Sequence, residues 1–162
     1  MPVGTGEFEL TLGVPLDREA VCQLFAPHAP VVEGDAFWDL TDLEHLPVVC
    51  AELYPTPTGT FVSGLVRPGL DGAELLALAR AVACDAGHDV LIEDVTFRGD
   101  CPDHLLVVHP DGALDHAIDT SDGRGSGHTV VDLDPHLVQL PEPGALLVRL
   151  QRRCGAAHAV AV

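Results

Sequence analysis

The side chains here that can do chemistry are nine histidines and five cysteines set among 25 carboxylates. Cys101-Pro102-Asp103-His104 puts a thiol three residues from an imidazole, the pairing from which a nucleophile and its base are made. A thiol reacts as the thiolate, which neighbouring cations favour. Asp100 and Asp103 flank this cysteine instead, and their charge opposes its ionisation. Histidines also recur beside acids, in Asp85-x-x-His88-Asp89, Asp115-His116 and Asp132-x-Asp134-x-His136, with Glu93-Asp94 between them. A divalent metal needs three or more such groups converging at fixed spacing, and neither His-x-x-x-His nor His-Glu-x-x-His occurs.

Gly123-Arg124-Gly125-Ser126-Gly127-His128 suggests two further chemistries and fits neither. A serine nucleophile elbow needs glycine at position 124, where arginine stands. A phosphate-cradling loop leads into a helix, whereas a strand-like segment follows here, and Asp119 and Asp122 repel phosphate. The segment reads as a turn. No catalytic residue, metal-ligand set or cofactor is assigned from these motifs, which weighs against an enzyme. His104, His109 and His116 stand near a C-terminal hairpin and can meet across its ladder. They keep a small-molecule-binding or enzymatic role open as an alternative.

The densest cluster is acidic and aromatic. Glu33, Asp35, Asp39, Asp42 and Glu44 surround Trp38, the only tryptophan. Protein interfaces concentrate their energy in a few aromatic anchors, and complementary charge steers the partner toward them. Trp38 is therefore the candidate anchor, and the five acids are candidate contacts for a basic protein partner.

Composition points the same way. The net charge is −17, and all eight basic residues are arginine. Residues 135–162 hold three arginines and one acid, so the negative charge lies in the preceding part. Such a field repels nucleic-acid phosphates and anionic lipid while speeding encounter with cations. No apolar run approaches the roughly 20 residues of a membrane span, and residues 1–7 lack the basic and apolar parts of a signal peptide. Five cysteines without a Cys-x-x-Cys pair read as reduced thiols. The expected setting is the cytoplasm, without nucleic acid or membrane as partner.

The elements that must position these residues follow from periodicity. Residues 7–14 alternate polar and apolar as a strand with one buried face. Asp17 caps a helix carrying Val21, Leu24 and Phe25, which ends at Pro27. A short strand is possible over Phe37–Leu40. Val48–Tyr54 and Thr60–Val66 form a hairpin around a Pro/Gly-rich turn. Asp71-Gly72-Ala73-Glu74 is a capping box opening a helix that closes at Gly87. Strands follow at Val90–Phe97, Leu105–Val108, Ala113–Ile118, Thr129–Leu133 and Ala145–Leu150. The expectation is one α+β domain over residues 1–162, with a ferredoxin-like βαββαβ core and a C-terminal β-hairpin and strand extension.

In size, α+β make-up and negative charge, the chain resembles the small acidic immunity proteins that bacteria carry against their own polymorphic toxins. Glu33–Glu44 is the local match to their acidic contact loops. The resemblance implies an inhibitor that occludes a basic partner, such as a toxin nuclease. A structural subunit of an oligomer is a further alternative.

Overall fold

The computed structural model describes residues 6–28, 31–32, 48–55, 59–67, 70–99, 103–120 and 127–141. Alternation over Glu7–Leu12 produces β1 (Gly6–Leu12), with Phe8, Leu10 and Leu12 buried and Glu7 and Glu9 exposed. Helix α1 (Arg18–Phe25) starts where the Asp17 carboxylate accepts the Ala20 amide at 2.9 Å. It buries Val21 and Phe25, one turn apart. Strands β2 (Val31–Val32), β3 (Val48–Pro55) and β4 (Thr60–Arg67) follow, the last two as the predicted hairpin.

Helix α2 (Gly72–Ala86) carries the predicted capping box in full: Asp71 accepts the Glu74 amide at 2.8 Å, and Glu74 accepts the Asp71 amide at 3.1 Å. Gly87 closes it at φ 68°, a left-handed position that favours glycine.

Strand β5 (Val90–Glu93) ends before the predicted Phe97. The Asp94 carboxylate accepts the Thr96 amide at 3.0 Å and the Thr96 hydroxyl at 2.6 Å, a local turn that competes with the ladder. Phe97 regains a single bridge, to Val138. Strands β6 (His104–Val108) and β7 (Leu114–Asp119) form the second predicted hairpin, with Gly112 at φ 87° in its turn. Strand β8 (His128–Val130) stops short of Leu133, and Asp134 then caps a 3-10 turn over Pro135–Leu137. Strand β2 was not expected from the sequence; the candidates Phe37–Leu40 and Ala145–Leu150 lie outside the described residues.

The described strands form one sheet in the order β2-β3-β4-β1-β5-β6-β7-β8. Every neighbouring pair is antiparallel except β2–β3. Both helices pack on one face, where Phe8, Leu10, Val62, Ile92, Leu106 and Val108 meet Val21, Phe25 and the buried side of α2. The fold is α+β, as the sequence predicts. At the end of β1 a Cβ on Gly59 would come within 2.3 Å of the Leu12 carbonyl oxygen, so this close approach of Gly59 to β1 requires glycine. Buried Thr60 secures the same corner, accepting the Leu16 amide at 2.7 Å and donating to the Val14 carbonyl at 3.0 Å.

Replacing the capping carboxylate, Asp71→Ala, should cost about 1 kcal/mol and lower the melting temperature by about 2–4 °C. Asp71→Asn, which can still cap, should retain most of it; calorimetry of the two variants checks this.

Candidate functional site

Side chains of a strand alternate between its faces, so the residues between the core positions define a second face. No described helix packs there. At its centre lie Leu91, Val107 and Ala117, buried as a small separate cluster with Leu105 beside them. Phe61 and Thr11 continue this row across β4 and β1, since Thr11 is registered with both Phe61 and Leu91. Val130 of β8 lies opposite Ala117 and is 56% exposed.

One border of the face is acidic. Glu7, Glu9, Glu93, Asp103 and Asp119 line a concavity of about 480 Å³ together with Phe61, Leu91 and Leu105, and no arginine or histidine is among its described lining. Glu7 and Glu9 stand two residues apart on β1, roughly 7 Å. Continuing the β1–β5 register past Thr11–Leu91 sets Glu9 opposite Glu93. Like charges directly opposite on a sheet destabilise it. Neighbouring carboxylates of this border, about 7 Å apart on β1 and directly opposite between β1 and β5, lie within one Debye length, about 8 Å at physiological salt. Their fields therefore add over the apolar centre.

The opposite border carries an imidazole between two acids. His109 Nδ1 lies 2.7 Å from Asp89 Oδ1, and His109 Nε2 lies 2.7 Å from Asp115 Oδ2. Asp89 precedes β5, His109 opens the β6–β7 turn and Asp115 sits on β7, so one ring ties three segments. The His109 pKa is raised above its ordinary 6.5, chiefly by the hydrogen bond to Asp115 and next by that to Asp89, while partial burial pulls the other way.

A second imidazole–carboxylate pair lies on the helix side of the sheet. His116 Nδ1 donates to Asp94 Oδ2 at 2.7 Å, and the Asp94 side chain is fully buried. Its other oxygen is held by Thr96. A carboxylate so fixed sets the tautomer and orientation of the ring, leaving Nε2 as its basic nitrogen. His104 stacks on Phe97 with ring centroids 3.8 Å apart, and its buried Nδ1 has no hydrogen-bond partner. Elsewhere His28, buried at the end of α1, bonds Asp85 of α2 at 2.8 Å and links the helices.

The predicted interface residues Glu33, Asp35, Trp38, Asp39, Asp42 and Glu44 lie outside the described residues, as does Cys101. The three hairpin histidines are only partly brought together. His104 and His116 occupy the helix side, whereas His109 turns to the other face with Asp115. Neighbours in sequence are thus not partners: Asp115 bonds His109, and His116 bonds Asp94. Asp134 is taken by its own turn, accepting the His136 amide at 3.0 Å. Among the described residues no group of three or more His, Cys, Asp or Glu is arranged to hold a metal ion, and no described helix is long and apolar enough to cross a membrane.

Sequence reasoning missed the acidic border. The alternation of Glu7 and Glu9 was its one readable sign, but only strand order brings Glu93 and Asp103 beside them. Comparison with known protein families, characterised proteins and solved structures found no match to this chain.

Asp94→Ala should leave the His116 and Thr96 donors without their acceptor and cost about 1–3 kcal/mol. Urea unfolding of this variant beside Thr96→Val measures it, and the Asp94 loss should be the larger.

Proposed function

We propose that this chain is an acidic protein-binding module that grips a cationic partner on the helix-free face of its sheet. The observation that carries this reading is the pair of partly exposed apolar side chains Phe61 and Leu105, either side of buried Leu91, bordered by the exposed acids Glu7, Glu9, Glu93 and Asp103. An interface core of this kind supplies burial, and its charged border supplies steering and selectivity. Facing carboxylates cost stability in the isolated chain, and a partner's Arg and Lys side chains relieve that cost.

The mode of action we infer is steric occlusion of a basic enzyme such as a nuclease, in the manner of the small acidic bacterial immunity proteins. The net charge of −17 supports this by opposing direct contact with nucleic acid. The free thiol of Cys22 suits a reducing cytoplasm. The Trp38 segment fits the same role as a second contact. The strand order β3-β4-β1-β5, with α1 after β1 and α2 after β4, supports reading the central part as a ferredoxin-like βαββαβ core, extended by β6, β7 and β8.

The Asp94–His116 pair favours a second reading, a small-molecule site or enzyme in which His116 Nε2 acts as base or ligand. Heat-stability screening against metals, nucleotides and metabolites separates the two, since this reading requires a melting shift that His116→Gln abolishes.

For the docking reading, a Lys/Arg-rich partner recovered on the immobilised chain serves as the analyte. Glu9→Lys with Glu93→Lys should slow its association by about tenfold or more at low salt, and the difference should collapse at high salt. An unchanged association rate contradicts docking on this face.

A further inference from the structure

The two borders of the helix-free face differ in kind. The described charged groups of one are carboxylates, whereas the other holds His109 with a carboxylate on each ring nitrogen. An imidazole donates from both nitrogens only as the imidazolium. The neutral ring must turn a lone pair toward one of two carboxylates 2.7 Å away. We propose that the Asp89–His109–Asp115 bridge is a proton-operated latch that holds the β6–β7 turn against the start of β5 and sets the charge on that border of the docking face. The effect on a partner rests on the docking role proposed above; the latch itself does not.

The geometry is suited to opening. The side chains of Asp89 and Asp115 are 46% and 50% exposed, so a carboxylate released from the ring is rehydrated at once. Asp111, in the same turn, is engaged locally by accepting the Ala113 amide at 2.9 Å. His88 and His128 line, with Asp89 and Pro110, a neighbouring concavity of about 470 Å³. Among the described residues, the lining of the acidic border contains no imidazole. Protonation of His109 therefore halves the charge of the Asp89–Asp115 border, from −2 to −1, and leaves the carboxylates of the other border unchanged.

The direction of linkage follows from the raised pKa of His109. The unfolded chain binds this proton less tightly, so the latch contributes its full stability below about pH 6.5. That contribution disappears as pH rises through the higher, folded value. Opening thus accompanies alkalinisation, and two carboxylates are then exposed toward a cationic partner.

Nitrogen-detected NMR of the full chain reads the ring directly. His109 should keep both ring protons to a higher pH than in the urea-unfolded chain, and Asp115→Asn should move its midpoint down. The wild type should melt about 2–4 °C above His109→Gln below pH 6, and the gap should close at alkaline pH. A His109 midpoint no higher than in the unfolded chain overturns the latch without use of any variant. Binding of an amphipathic Lys/Arg-rich helical peptide should be at least about threefold tighter at pH 8 than at pH 5.5, with a smaller ratio in His109→Gln. Equal affinity at both pH values, while His109 titrates as expected, overturns its coupling to the face. Loss of peptide binding in Glu9→Lys with Glu93→Lys tests the face itself at a single pH, so the two failures are distinguishable.

Discussion

Both described helices pack on the same side of the sheet, and strand alternation then decides what each described strand residue can do. Alternate side chains of β1 and β5, with Leu106 and Val108 of β6, join α1 and α2 in the core, and Leu91, Val107 and Ala117 lie on a face that no described helix touches. A sheet covered once needs polar groups on its other side. Here the described polar groups are mostly carboxylates, five at one end and Asp89 and Asp115 around His109 at the other, with an apolar middle. Glu7, Glu9 and Glu93 are exposed there, where water solvates carboxylates that a core could not.

Charge balance imposes the second constraint. With 25 acids and eight arginines, the described carboxylates that are fixed in place find backbone amides, hydroxyls and imidazoles. Asp17, Asp71, Asp111 and Asp134 each accept a backbone amide. Asp94 takes Thr96 and His116, Asp85 takes His28, and Asp89 and Asp115 share His109. Because imidazoles stand where lysines are absent, part of the internal electrostatics depends on pH in a way that a lysine-paired surface does not.

Local signals in the sequence reached far into the fold. Period-two alternation marked β1, the Asp71–Glu74 box marked α2 to the residue, and the turn composition of both hairpins marked β3–β4 and β6–β7. Strand ends were less readable at Asp94 and Asp134, where a side chain outcompetes the ladder for the next amides, an outcome that composition does not encode. The site was less legible than the fold. Asp115-His116 and Glu93-Asp94 look like pairs when written in a line, yet adjacent strand residues point to opposite faces and cannot bond each other. Asp115 instead bonds His109, 6 positions away, and His116 bonds Asp94, 22 positions away, and register alone brings them together. The acidic border likewise needs the order β1-β5-β6 before Glu9, Glu93 and Asp103 become neighbours.

The central claim, a negative and accessible face opposite the helices, is tested most directly by paramagnetic relaxation with a cationic and a neutral nitroxide of the same size. At low salt the cationic probe should enhance relaxation of the amide protons of Glu9, Glu93 and Leu105 several-fold more than the neutral probe, and more than at Arg80 on the exposed side of α2. Equal enhancement by the two probes along β1, β5 and β6 contradicts the account.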